Sequence, residues 1–193
     1  MTKIYTIILI FLSFNLFAWI DRDRMDPDHL IPQKILDKAY AYLKENSSKI
    51  KNQNFLSIID FKQHNSKERW YLLDLNTGDV EKFLVAHGKN SDKDFDGYAN
   101  SFSNTLNSDQ SSLGFYLTAE TYQGSHGLSL RLDGLSTTNS NARDRSIVIH
   151  GADYVAQGPK IGRSLGCPAV EMRYHSYLID KIKNGSLIFA AFE

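Results

Sequence analysis

Apolar and polar positions alternate in two different ways along this chain. After a polar stretch at residues 21–31, apolar residues recur at helical spacing at Ile35, Leu36, Ala39 and Leu43. This spacing predicts a helix over residues 32–49, with Pro32 at its first turn. From residue 55 onward, short runs rich in β-branched and aromatic residues dominate, and such runs are typical of strands.

The short apolar runs predict seven strands and a second helix. The strands are expected at residues 55–61, 70–75, 80–86, 113–122, 128–133, 146–150 and 186–192. The first three form a meander, because a turn signal at residues 76–79 separates the second from the third. A helix over residues 172–183 precedes the stop signal Asn184-Gly185. We therefore expect an α+β fold, mainly β with flanking α-helices.

Residues 87–112 form the least regular part of the chain. A long ordered loop in a compact domain is more often a functional element than a filler. Residues 92–97 weakly resemble a calcium loop, but they lack the downstream glutamate that such a loop needs. The six histidines also show no short ligand spacing. The sequence therefore implies no metal and no cofactor.

The first 20 residues have the pattern of an export signal. Lys3 is basic, residues 4–20 are almost entirely apolar, and charged residues follow at once. This apolar run is shorter than the ~20 residues of an ordinary membrane-spanning helix. The large Leu16 weakens the cleavage site, so an uncleaved membrane anchor is the alternative. We expect a signal or anchor at residues 1–20, a linker at residues 21–31 and an exported domain at residues 32–193, in the periplasm or facing the cell wall.

Length and charge limit the classes of function. The 193 residues suit one domain, which we expect to be a monomer. Twenty-two basic residues balance 22 acidic ones, so the basic excess of a nucleic-acid-binding protein is missing.

Cys167 is the single cysteine of the chain. In an exported protein it cannot form an internal disulfide, which leaves a buried inert residue, an intermolecular bridge or a reactive thiol. Glycine precedes it, and the predicted strand that ends at His150 lies 17 residues upstream. A cysteine needs a nearby base or positive charge to attack as a thiolate, and histidine is a suitable base. We therefore predict that Cys167 is a nucleophile and His150 its general base.

The glycines beside these two residues have their own predicted roles. Gly151 lets a substrate approach, and its carbonyl group could fix the tautomer of His150. The N–H groups of Gly166 and Cys167 could stabilise a developing oxyanion.

Two polar residues of the same loop complete the predicted site. Ser164 could bind the substrate or brace the loop that carries the thiol. Arg163 could hold a substrate carboxylate through two hydrogen bonds.

The segment Gly162-Arg163-Ser164-Leu165-Gly166-Cys167-Pro168-Ala169, together with His150-Gly151, resembles the signature of the murein L,D-transpeptidase (YkuD-like) catalytic domain. The resemblance extends over residues 35–192 and includes segments 85–89, 111–116, 129–135 and 148–155. It implies a β-sandwich or barrel with a few helices. It also implies that a stem tetrapeptide of peptidoglycan is cleaved, D-alanine released, and the acyl group passed from Cys167 to an amine.

One departure from the family pattern affects the site. Leu165 stands where the commoner signature has a second histidine. The contribution of that histidine to the oxyanion site or to substrate binding would have to come from another residue. His87 and His126 are candidates, because each is followed by glycine at a loop edge.

Several alternatives remain at this stage. With water as acceptor the enzyme would be an L,D-carboxypeptidase, and with a protein lysine it would attach an envelope protein to the wall. A non-catalytic wall-binding module would not need both His150 and Cys167.

A sortase would need an arginine soon after the cysteine, whereas Arg173 falls in a predicted helix. A papain-like enzyme would have its histidine well after the cysteine, and His175 is too close.

Overall fold

The computed structural model describes residues 20–193. The predicted signal or anchor, apart from Ile20, lies outside the described residues. Between residues 20 and 193, no helix has the length and apolar character needed to cross a membrane.

The described chain contains two α-helices and eight strands. In chain order they are α1 (Gln33–Glu45), β1 (Phe55–Asp60), β2 (Trp70–Asp74), β3 (Val80–Phe83), β4 (Gly114–Gly124), β5 (Gly127–Gly134), β6 (Val148–Ala152), β7 (Val170–Glu171), α2 (His175–Ile182) and β8 (Leu187–Ala191).

All eight strands form one sheet in the order β3-β2-β1-β8-β4-β5-β6-β7. The pairs β1–β8 and β6–β7 are parallel, and the other pairs are antiparallel. A bridge between Val85 and Val170 joins the segment after β3 to β7, so the two sheet edges meet and the barrel is nearly closed. The prediction of a mainly β fold with flanking helices is therefore confirmed, as is the meander of its first three strands.

The central strands are buried on both faces because each face packs against a different core. Leu56 and Ile58 of β1 pack in the cluster that contains the apolar face of α1. Ile59, on the opposite face, packs in a second cluster with Ile149 of β6 and Leu178 of α2. Side chains of successive strand residues point to opposite faces, so one strand can serve both cores.

The structure corrects two predicted boundaries near the site and adds one strand. The strand that was expected to end at His150 continues to Ala152, because Gly151 and Ala152 pair with β7. The strand β7 was not predicted, since two residues are too few to show a period. The helix expected from residue 172 begins at His175.

Candidate active site

Cys167 lies beside β6, three residues before β7. Gly151 pairs with Val170 in the parallel register, which places Cys167 alongside Val148. The Val148 N–H group donates a hydrogen bond to Sγ over 3.5 Å, and the thiol donates to the Ser146 carbonyl group over 3.6 Å. The thiol is therefore fixed on the strand edge, two residues before His150.

His150 lies within β6 and is only 4% exposed. Its Nδ1 atom is 2.9 Å from the Gly151 carbonyl oxygen. A carbonyl group only accepts hydrogen bonds, so Nδ1 carries the proton and the Nε2 atom of the neutral ring holds the lone pair. Burial lowers the pKa of His150, and the charges of His126 and His175 lower it further, while the bond to Gly151 acts in the opposite direction.

The thiol and the imidazole are both neutral in this state. Burial raises the pKa of the Cys167 thiol, although the Val148 N–H group and the charge of Arg145 oppose the shift. Within residues 20–193, no hydrogen bond joins Sγ to His150. Catalytic hydrogen bonds often form or tighten only when substrate binds, so we expect the contact between Sγ and Nε2 in the substrate complex.

Ser164 braces the loop that carries the thiol. Its hydroxyl group donates to the Cys167 carbonyl oxygen over 2.6 Å and accepts from the Gly166 N–H group over 3.1 Å. The Gly166 N–H group, expected to stabilise an oxyanion, is therefore already engaged inside the loop. Among the described residues, the Cys167 N–H group has no hydrogen-bond partner, so it is the donor that stays available.

Gly166 has a backbone conformation that few other residues adopt. Its φ of +122° lies in the region that favours glycine, and a Cβ atom there would approach the Gln110 carbonyl oxygen to 2.8 Å. The sharp bend before Cys167 therefore depends on glycine, as does the close contact with the 87–112 loop.

Arg163 contacts the 87–112 loop. Its Nη1 atom donates to the carbonyl oxygens of Lys89, over 3.2 Å, and Asp92. Its guanidinium group also lies 4.1 Å from the centre of the Phe95 ring. The guanidinium group of Arg163 thus holds the 87–112 loop. Its contact with a substrate carboxylate stays a prediction.

The side chain of His87 is completely buried. Arg69 donates to its Nδ1 atom over 2.8 Å, and its Nε2 atom is 3.2 Å from an Asp92 carboxylate oxygen. Burial and the charge of Arg69 lower the pKa of His87 to about 4. The carbonyl group of His87 accepts a hydrogen bond from the Ser164 N–H group. His87 therefore supports the signature loop, the segment of residues 162–168 that carries the thiol, and its buried side chain does not face a substrate.

His126 lies at the exposed tip of the β4–β5 hairpin, and the structure brings it to the site. Its ring stacks on the ring of His150, with a centroid distance of 4.4 Å and an interplanar angle of 23°. The His126 ring borders an open cleft of about 550 Å³, which is also lined by Gly151, Tyr154, Met172 and His175.

Three residues near the reacting pair carry no signal in the sequence. Tyr154 lines the cleft, and burial together with the charge of Cys167 raises its pKa to about 12. His175 packs against Gly151, where a Cβ atom would lie 2.9 Å from the imidazole. Arg145 holds a positive charge that lowers the pKa of the Cys167 thiol. None of the three has a characteristic spacing, because their positions depend on the fold.

The described residues contain no group of three or more His, Cys, Asp or Glu side chains that could hold a metal ion.

Comparisons with known structures give several similar chains. Bd1075 of Bdellovibrio bacteriovorus is 14% identical over 72% of this chain and 48% of its own, with a TM-score of 0.45. An L,D-transpeptidase from Mycobacterium smegmatis is 13% identical over 72% of this chain and 58% of its own, with a TM-score of 0.44. The helical cell shape determining protein Pgp2 of Campylobacter jejuni is 11% identical over 80% and 55%, with a TM-score of 0.46. The chain thus spans about half of these proteins' length.

A search of curated protein sequences finds no significant match. The sequence profile of the L,D-transpeptidase catalytic domain matches residues 28–191, which is most of the chain. The protein therefore belongs to the L,D-transpeptidase catalytic domain family.

Proposed function

We propose that this protein is an L,D-transpeptidase that transfers peptide stems of peptidoglycan through a thioester on Cys167. The observation that carries the proposal is the arrangement on β6. Its backbone holds the thiol at Val148, and two residues later it holds His150 with a lone pair on Nε2. Membership of the family supports the same reaction class.

In the first half of the reaction, the His150 Nε2 atom takes the thiol proton as Sγ attacks the carbonyl carbon of the donor peptide. A C–S bond forms, and the C–N bond to the terminal D-alanine breaks. His150 returns the proton to the leaving amine. Because the pKa of the thiol is raised and that of His150 lowered, the neutral pair is favoured over a thiolate–imidazolium pair before substrate binds.

The negative charge on the carbonyl oxygen needs donors during attack. The free Cys167 N–H group would supply one, since preorganised N–H groups stabilise such an oxyanion most effectively in a site sheltered from water. The peptide unit between Gly166 and Cys167 carries this N–H group, and its carbonyl oxygen accepts a hydrogen bond from the Ser111 hydroxyl group over 3.5 Å. Ser164 holds the next carbonyl group along the loop, that of Cys167.

In the second half, an acceptor amine attacks the thioester carbonyl carbon. The C–N bond of the cross-link forms, the C–S bond breaks, and the thiol of Cys167 is restored. The cleft lined by His126, Tyr154 and Met172 lies beside the reacting pair, because His126 stacks on His150 and the charge of Cys167 acts on Tyr154. We expect the acceptor amine to reach the thioester through this cleft. Such substrates lie outside the cytoplasm, and the signal pattern of residues 1–20 supports export to the periplasm or the wall face.

The test is to incubate the purified protein with disaccharide-tetrapeptide and to analyse products and intact protein by mass spectrometry. We expect a thioester on the protein, free D-alanine and cross-linked dimers. Release of D-alanine without dimers would identify an L,D-carboxypeptidase or an enzyme that needs a protein acceptor.

The matched controls are Cys167→Ala, which removes the nucleophile, and Cys167→Ser, which keeps a hydroxyl group of similar size. Neither should form the thioester. Product formation by Cys167→Ala would refute the proposed mechanism, and a folded wild-type protein that forms neither thioester nor D-alanine would refute the proposed function.

A further inference from the structure

We propose that His126 is a second proton acceptor of this site, which deprotonates the acceptor ammonium and so directs the thioester toward an amine instead of water. This inference rests on the proposed function. It assigns to His126 a step that His150 cannot perform alone.

The need for a second base follows from counting protons. An alkyl amine is protonated at neutral pH, so the acceptor arrives as an ammonium ion with three protons. Its nitrogen must lose one proton before it can attack and a second when the amide forms. The second proton passes through His150 to the departing thiolate of Cys167. The first needs another acceptor, whereas attack by water releases one proton in the chemical step, which His150 alone can accept.

His126 has the position and the chemistry for that first proton. Its imidazole stacks on His150 at a centroid distance of 4.4 Å and lines the cleft through which an acceptor would approach. The residue is exposed, so a proton taken from the ammonium can pass to solvent. Neither of its ring nitrogens makes a hydrogen bond to another residue in the described chain.

The other candidates for this role are already occupied. In His175, Nδ1 is 2.6 Å from the Met172 carbonyl oxygen and Nε2 is 3.2 Å from the Ser176 hydroxyl group. His87 is completely buried. At the position where the commoner signature has a histidine, Leu165 is 64% exposed but offers no proton acceptor.

The titratable groups that face His126 come from several elements. His150 on β6 stacks on it, and His175 on α2 lines the same cleft, as do Asp153 and Tyr154. The charge of Cys167 acts on Tyr154. A pH profile alone would mix these groups, so the test compares two acceptors at one pH.

The first measurement is the ratio of cross-linked dimer to hydrolysed stem at pH 7 for the wild type, His126→Gln and His126→Phe. Glutamine keeps a polar side chain, and phenylalanine keeps the stacking on His150. Both lack the base, so we expect the ratio to fall about 100-fold in both, within the usual range for loss of a general base. In His29→Gln, which changes an exposed histidine of the N-terminal segment, the ratio should stay near the wild-type value.

The second measurement replaces the stem amine with hydroxylamine, which is uncharged at neutral pH and needs no prior deprotonation. Both His126 variants should use hydroxylamine at nearly the wild-type rate. Dimer formation by the variants should also recover at pH 10, where the stem amine loses its proton unaided.

The outcomes separate this inference from the proposed function. An unchanged ratio would overturn the inference, and an equal loss with amine and hydroxylamine would mean that His126 merely supports His150. A wild-type enzyme that forms the thioester but makes no dimers would also overturn it, leaving the thioester mechanism intact. If the wild type forms no thioester at all, both fail.

Discussion

His87 and His126 look alike in the sequence and differ completely in the structure. Each is followed by glycine at the edge of a loop. His87 is buried with both ring nitrogens bound by Arg69 and Asp92. His126 is exposed, makes no hydrogen bond to another residue between 20 and 193, and stacks on His150. His87 supports the conformation of the signature loop, and His126 lines the cleft. The chemistry of a histidine thus depends on its burial and partners more than on its local sequence.

The largest effect is expected from loss of the ring on which His126 stacks, that of His150. We expect His150→Ala to lower turnover by about 1,000-fold, because the thiol loses its proton acceptor. The protein should stay folded, since the imidazole makes its one described hydrogen bond to the neighbouring Gly151. Turnover is measured as D-alanine release, and folding as a cooperative thermal transition. Activity close to wild type would remove His150 from the mechanism.

Replacing the buried His87 should lower the stability of the protein. His87→Leu leaves the Arg69 guanidinium and the Asp92 carboxylate without their shared partner, and both groups are buried. We expect a loss of about 3 kcal/mol in the free energy of unfolding. In a domain of this size that corresponds to a fall of roughly 6–12 °C in Tm.

The matched control is His87→Gln, because its amide can accept from Arg69 and donate to Asp92. Urea unfolding should show that this variant retains most of the stability that His87→Leu loses. If the leucine variant is as stable as the wild type, the Arg69–His87–Asp92 network does not support the fold.

Acid should affect the same network through protonation. The pKa of His87 is about 4 in the folded protein and 6.5 ordinarily, so between these values the unfolded chain binds the proton more strongly. Its stabilising contribution is therefore complete above pH 6.5 and is lost as the pH falls toward 4. From pH 7 to pH 5 this amounts to about 2 kcal/mol.

The lowered pKa of His150 also makes the protein less stable as the pH falls. The contribution of His87 is therefore obtained as the difference in the free energy of unfolding between the wild type and His87→Gln. Urea unfolding of His87→Gln should show a dependence on pH that is smaller by about 2 kcal/mol over this interval. Equal slopes in the two proteins would mean that His87 is not buried in the neutral form.

Local patterns predicted most of the fold, because most strands are distinct runs of β-forming residues and the helices show a clear apolar face. They could not predict β7, which exists because Gly151 and Ala152 offer it a partner strand. The placement of Cys167 beside Val148 depends on that same pairing, so the sequence predicted the residues of the site but not their contacts.

The two histidines show the same limit. Arg69 meets His87 across 18 residues of sequence, and no local feature of either residue predicts the contact. His126 reaches His150 because β5 pairs with β6 in a register that places Ser129 opposite His150, three residues from the hairpin tip. Such placements are set by strand pairing, which a single sequence does not display.

The smallest effect is expected where this chain departs from the commoner signature. Leu165 is 64% exposed, so Leu165→His should change the free energy of unfolding by less than about 0.5 kcal/mol. If His126 already supplies the second proton acceptor, a new imidazole on the signature loop adds little. The dimer-to-hydrolysis ratio should then change by less than about tenfold, equivalent to about 1.4 kcal/mol. A larger gain in this ratio, measured beside His126→Gln, would show that a histidine on the loop of Cys167 accepts the proton better than one on the hairpin. The stacking of His126 on His150 would then not be sufficient for efficient transfer to an amine.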